Sequence, residues 1–240
     1  MISDAMTEVL RLVHIQAQPR LAGCAEVLGV DGLAVSLVVD GQITEQLWSS
    51  GKTAALFEDL QFTLGEGPGP DALRDHALRM VDDIATVPSG RWPALLPALG
   101  DLPVAAVFCF PLHLGGIFVG VLTLLRAEPG PMSGQQMDDA LALAEALTLQ
   151  FLGGEGVQLE SWGDARPTEL HRAVVHQATG MISVQLGLAL GPALLRLRAY
   201  SFSQGLPITD IARDIVARRL RLPPTAGDPG PTDPTDEMRG

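Results

Sequence analysis

Apolar residues near the start of the chain recur at Met6, Val9, Leu10 and Val13, one helix face, and Ser3 stands at the capping position, which predicts a helix over 3–17. Pro19 interrupts it, and a second helical stretch runs to Leu28 and stops at Gly29. The period then changes. Leu33, Val35, Leu37 and Val39 alternate as a strand, Asp40-Gly41 supplies a hairpin turn, and Ile43, Glu45 and Leu47 continue in a second strand. A short helix near 54–60, a glycine-proline stretch from Gly65 to Pro70, a helix from Asp71 and a strand over 80–84 follow. Two further strands, 104–112 and 117–125, meet at Gly115-Gly116. Ser133 with Gln136 forms a capping box for a long helix carrying Met137, Leu141, Ala144, Leu147 and Phe151 in one stripe. Helices flanking an antiparallel sheet predict an α+β domain over 1–152.

The pattern beyond is helical only. Leu170, Val174, Ala178, Met181 and Leu186 mark one helix, which Gly187 ends. Pro192 reads as a first-turn proline, Leu194, Leu195, Ala199 and Phe202 supply the buried stripe of a second helix, and Gly205 closes it. Pro207 opens a third helix with Ile208, Ile211, Ala212, Ile215 and Val216 inward, so residues 166–222 read as an all-α three-helix bundle. Turn-forming glycines make 153–165 a linker. The tail over 223–240, rich in Pro, Asp and Thr, is expected to be disordered.

Charge sharpens this division. The chain carries a net −12, yet residues 166–222 hold eight arginines against three acids. A basic island in an acidic molecule suggests a polyanion site confined to one module. Arg218, Arg219 and Arg221 suit the negative end of a closing helix, whereas Arg172, Arg196, Arg198 and Arg213 are expected to face water and to meet nucleic acid. No apolar run reaches the roughly 18–20 residues of a membrane helix, and no basic segment precedes an apolar core at the N-terminus, so a cytoplasmic protein without membrane contact is expected.

Catalytic signatures are missing from the sequence. The loop at Gly65 has no GK[ST] end, and Pro68 and Pro70 remove donors that a phosphate cradle needs, so it reads as a structural turn. His171 and His176 have no HExxH-type partner, which argues against a metal site. Asp82-Asp83 and Asp138-Asp139 are neighbours in sequence, diverge on a strand or helix, and read as solvated. Cys24 and Cys109 have no metal-like spacing, and Cys109 between Phe108 and Phe110 reads as a buried thiol. The chain is expected not to be an enzyme, and no cofactor is named by its residues.

The run RAVVHQATGMISVQLGLALGPALLRLRAYSFSQGLPITDIARDIVARRL from Arg172 resembles the ANTAR domain, a three-helix RNA-binding module of transcription antitermination regulators. The specific likeness lies in Ala178, Gly180 and Met181, in Ala193 with Leu195, in Leu197 to Phe202, and in Ala212. The stretches LQFTLGEGPGPDA from Leu60, RWPALLPA from Arg91, Phe110 to Leu112 before Gly115, and GVLTLLR from Gly120 are similar to the GAF domains that precede ANTAR modules. Many such GAF domains carry a Cys after Gly-Pro, where this chain has Gly69.

The resemblance implies an antiterminator that binds hairpin loops in nascent transcripts as a homodimer, under a small-molecule or protein signal at the GAF domain. The RNA-binding residues then expected are Arg172, Gln177, Ala178, Gly180, Met181, Arg196, Arg198, Tyr200 and Arg213. Small side chains at Ala178 and Gly180 would let a loop base approach, and Tyr200 would stack one for about 1–3 kcal/mol. Two other readings stand beside this one: a helix-turn-helix DNA-binding factor built on Pro192 to Leu220, and a sensor acting only through protein partners.

Overall fold

Leu33 and Val35 point to one side of their strand and Ala34, Ser36 and Val38 to the other, and all five are buried. A strand apolar on both faces needs cover on both. The computed structural model, which describes residues 1–15, 23–39, 42–152 and 168–224, supplies it. Five strands, β1 (Gly32–Val39), β2 (Gln42–Ser49), β3 (Arg79–Val81), β4 (Ala106–Leu114) and β5 (Ile117–Arg126), form one antiparallel sheet in the order β2-β1-β5-β4-β3. Phe108, Phe110, Leu122 and Leu124 face the cluster that includes residues of α1 (Asp4–Ile15), α2 (Cys24–Leu28) and α6 (Gly134–Leu152). Val107, Cys109, Val121 and Leu125 face the cluster that includes residues of α3 (Gly51–Leu64), α4 (Pro68–Arg74) and α5 (Leu95–Leu99).

The capping box forms as expected: the Gln136 N–H donates to Ser133 Oγ at 3.2 Å and the Ser133 N–H to Gln136 Oε1 at 2.9 Å. The stripe of α6 holds except at one position: Ala144 and Leu147 are buried and Met137 and Phe151 pack against the core. Ala140 and Leu143 are buried and Leu141 is exposed, because α1 and the sheet cover that side. Asp139, expected in water, is buried and accepts the Ser3 N–H at 2.7 Å near the start of α1. The helix expected over 54–60 extends to 14 residues, and α4 begins three residues before Asp71. The Asp40-Gly41 turn, Pro19 and the 153–165 linker lie outside the described residues.

The glycine-proline stretch is a structural turn. Gly67 precedes α4 at φ 130°, and a Cβ there would come within 2.5 Å of Gln61 Oε1. Only glycine fits such a backbone without strain. The two conspicuous GAF-like stretches hold one another. Glu66 accepts the N–H groups of Ala94 and Leu95 at 2.9 and 3.2 Å, and Asp71 accepts from Arg91 and from Trp92 Nε1.

By contact the chain divides into units Met1–Arg166 and Pro167–Gly240. The second unit holds α7 (Thr168–Leu186), α8 (Leu190–Gln204) and α9 (Ile208–Val216), with Gly187 and Gly205 at the first two ends. The hydroxyls of Ser183 and Ser201 donate to the carbonyls five residues on, Leu188 and Leu206, and so pin both turns. Two expected stripes are rotated. On α7 the buried residues are Arg172, Val175, Ala178, Thr179, Ile182 and Leu186, while Val174 and Met181 are only half-buried. On α8 they are Ala193, Leu194, Leu197 and Ser201, with Leu195 65% and Phe202 70% exposed and Ala199 exposed too. α9 buries Ile208, Ile211, Ala212 and Ile215 as expected.

Candidate nucleic-acid interface

α9 stops at Val216, and the chain turns back at once. The Arg218 N–H donates to the Ile215 carbonyl at 2.9 Å and the Arg219 N–H to the Asp214 carbonyl at 2.8 Å, with Arg218 at φ 58°. This pair of bonds closes a helix through a left-handed residue, a place that glycine usually fills because it has no Cβ to clash. Here an arginine fills it. The residues that follow form a strap: Leu222 is buried, the Leu222 carbonyl accepts from Gln185 Nε2 at 2.7 Å, and the Pro223 carbonyl accepts from Arg196 Nη2 at 2.8 Å. Side chains from α7 and α8 thus each hold it.

Between strap and α7 runs an open groove of about 750 Å³. One wall is a continuous face of α7: Gln177, Gly180, Met181, Val184 and Gln185. The opposite wall is Ile215 with Arg218, Leu220 and Arg221. A Cβ added at Gly180 would meet nothing within 4 Å, so packing does not require a glycine there, although one inside a helix costs about 0.5–1 kcal/mol against alanine. Ala178 is fully buried among the helices. Close helix packing therefore accounts for Ala178 and not for Gly180.

Of the residues expected to bind RNA, Gln177, Gly180 and Met181 come together in the groove. Arg172, expected in water, is 2% exposed. Arg198 is also largely buried, and burial, then the nearby charge of Arg172, lowers its pKa to about 10. Arg196 holds the strap. Arg213 pairs with Asp210 at 2.6 Å on the surface, a contact of the kind worth about 0–1 kcal/mol. Tyr200 is half-buried and lies outside the groove lining.

The sequence pattern places Arg218, Arg219 and Arg221 at the end of a helix. That helix ends before them. Arg219 turns back to Asp214 at 2.7 Å, whereas Arg218 and Arg221 are exposed and make no ion pair among the described residues.

Both cysteines belong to the first unit. Burial pushes the Cys24 thiol up to about 12 and raises Cys109 as well, the latter with a further contribution from Glu58 nearby. Among the described residues, no three His, Cys, Asp or Glu side chains converge to hold a metal ion, and no single helix is long and apolar enough to cross a membrane.

Comparison with known proteins agrees with this division. The ANTAR domain matches residues 166–216 and the GAF domain matches residues 14–151. The GAF domain from Acinetobacter phosphoenolpyruvate-protein phosphotransferase superposes with a TM-score of 0.50 at 11% identity, covering 62% of this chain and 92% of that one. The GAF domain from a phosphoenolpyruvate-protein phosphotransferase of Coxiella burnetii gives a TM-score of 0.49 at 18% identity, covering 63% and 96%. At 11% identity the first of these is a likeness of fold alone. No curated protein shows significant similarity.

Proposed function

The chain belongs to the GAF domain family through residues 14–151 and carries an ANTAR domain over 166–216, and on that footing we propose that it is an antiterminator that binds hairpin loops in nascent transcripts. ANTAR domains bind RNA hairpins in antitermination and GAF domains sense signals. In this reading residues 1–152 receive a small-molecule or protein signal, 153–165 connect, 166–222 hold the RNA and 223–240 form a tail. The protein works in the cytoplasm as a homodimer. Leu141, Leu149 and Leu152, exposed along α6, are the surface offered for pairing two copies.

The observation that carries this reading is the groove, where three of the residues expected to bind RNA, Gln177, Gly180 and Met181, meet two exposed arginines. An apolar lining beside cations suits single-stranded loops, whose unstacked bases and phosphates are both within reach. Gel shifts with an RNA hairpin and a DNA duplex of equal length test it. Retention of the hairpin, weakening as salt rises, is expected; preference for the duplex would overturn it.

A further inference from the structure

We infer that the strap of residues 217–222, beyond the end of the ANTAR match at residue 216, completes a receptor for one unstacked RNA base, with Arg218 and Arg221 gripping the phosphates on either side of it. This inference rests on the RNA-binding reading above. The apolar lining of the groove is Met181, Val184, Ile215 and Leu220 on its two walls, and Gly180 adds no side chain to it. A flat ring can lie against such a lining, the thioether at its edge. Gln177 is exposed at the rim and carries an amide donor and acceptor that a base edge can pair with. Arg218 and Arg221 stand on the opposite wall, and a guanidinium fork matches phosphate oxygens two at a time.

The backbone at Arg218 supplies an independent argument. A left-handed residue at a helix end is ordinarily glycine, and an arginine at φ 58° departs from that rule. Local rules are broken where function outweighs stability. The strap is also fixed at its end and by the residue that follows it. Leu222 is buried, and Gln185 and Arg196 hold the carbonyls of Leu222 and Pro223, so both arginines project from a fixed backbone.

The test uses the full chain, its Arg218→Gly and Arg221→Gln variants singly and together, and the best-retained hairpin from an RNA pool with randomised loops. Arg218→Gly relieves the left-handed strain, so the C-terminal unit should melt higher by about 2–5 °C while the hairpin binds about tenfold more weakly. Arg221→Gln should weaken binding similarly without that rise. Together the two should lower the slope of log affinity against log salt by about 1.4, two single-strand phosphate contacts. Replacing the loop bases by abasic sites should weaken binding to the parent chain. Unchanged affinity and salt slope in the double variant, with the parent still binding the hairpin, would overturn the strap's role alone. A parent chain that retains no hairpin would overturn the RNA reading and this inference with it. A polyglutamate peptide that displaces the hairpin and loses affinity in the same variants would assign the groove to acidic protein instead.

Discussion

The Ser36 hydroxyl on β1 donates to the Glu58 carboxylate on α3 across 2.6 Å, in the interior between sheet and helix. Gln61 Nε2 donates to the other carboxylate oxygen at 2.9 Å, and Gln61 Oε1 accepts the Gly69 N–H at 2.8 Å. A carboxylate only 1% exposed is thereby tied to the sheet on one side and to the glycine-proline turn on the other.

Removing that carboxylate strands its donors. Glu58→Ala should destabilise the first unit by about 2–3 kcal/mol, because Ser36 and Gln61 stay buried without an acceptor. Glu58→Gln keeps an acceptor, drops the buried charge, and should lose less than half as much. Urea unfolding followed by circular dichroism compares them; equal losses would remove Glu58 as the centre of the network.

Both cysteines should be chemically silent while the chain is folded. Each is buried with its thiol pKa raised, so at pH 8 a disulfide reagent should label neither until denaturant is added. The sign for stability follows from the raised values. The unfolded thiol ionises near 9 and folded Cys24 only near 12, so its contribution is complete below 9 and falls by about 1.4 kcal/mol per pH unit between them. Cys24→Ala should flatten that fall in a series of melting curves from pH 8 to 11.

At Gly67 an added methyl group would collide with Gln61 and Leu95 on a backbone at φ 130°. Gly67→Ala should therefore cost about 1–3 kcal/mol and loosen the turn that Glu66 and Asp71 fasten. Fluorescence of Trp92, buried beside Asp71, should shift to the red in the variant at temperatures where the parent is still folded.

Gly180 offers the opposite test. Gly180→Ala should raise helix stability by about 0.5–1 kcal/mol, since the site has room for a methyl. Gly180→Leu should occupy the groove and abolish hairpin retention while the melting temperature stays at or above the parent's. RNA binding that survives Gly180→Leu would remove the groove from the interface.

The features legible in the sequence were those set by local chemistry. Ser133 and Gln136 cap α6 as their spacing demands, Gly115-Gly116 turns β4 into β5, and Gly187 and Gly205 stand where two helices end. What required the tertiary structure was helix phase. Leu194 and Leu195 are adjacent, and a stripe can be drawn through either; the cover from α7 and α9 selects Leu194 with Leu197 and leaves Leu195 and Phe202 outside. The strap was illegible for a related reason. An end without a glycine gives no stop signal, so Arg218 to Arg221 continue a helical pattern that the backbone has already abandoned.

On the α3 side of the sheet, Ala34, Ser36, Val107, Cys109, Val121 and Phe57 have no accessible surface at all, so none of them borders a void even the size of a water molecule. A signalling molecule entering there would have to act as a wedge, lifting a side chain such as Phe57 before it gained a contact. Each displaced apolar side chain opposes entry by about 1.5–3 kcal/mol. A receptor built that way would hold every such visitor more weakly by the factor that the displacement costs, roughly tenfold for each 1.4 kcal/mol.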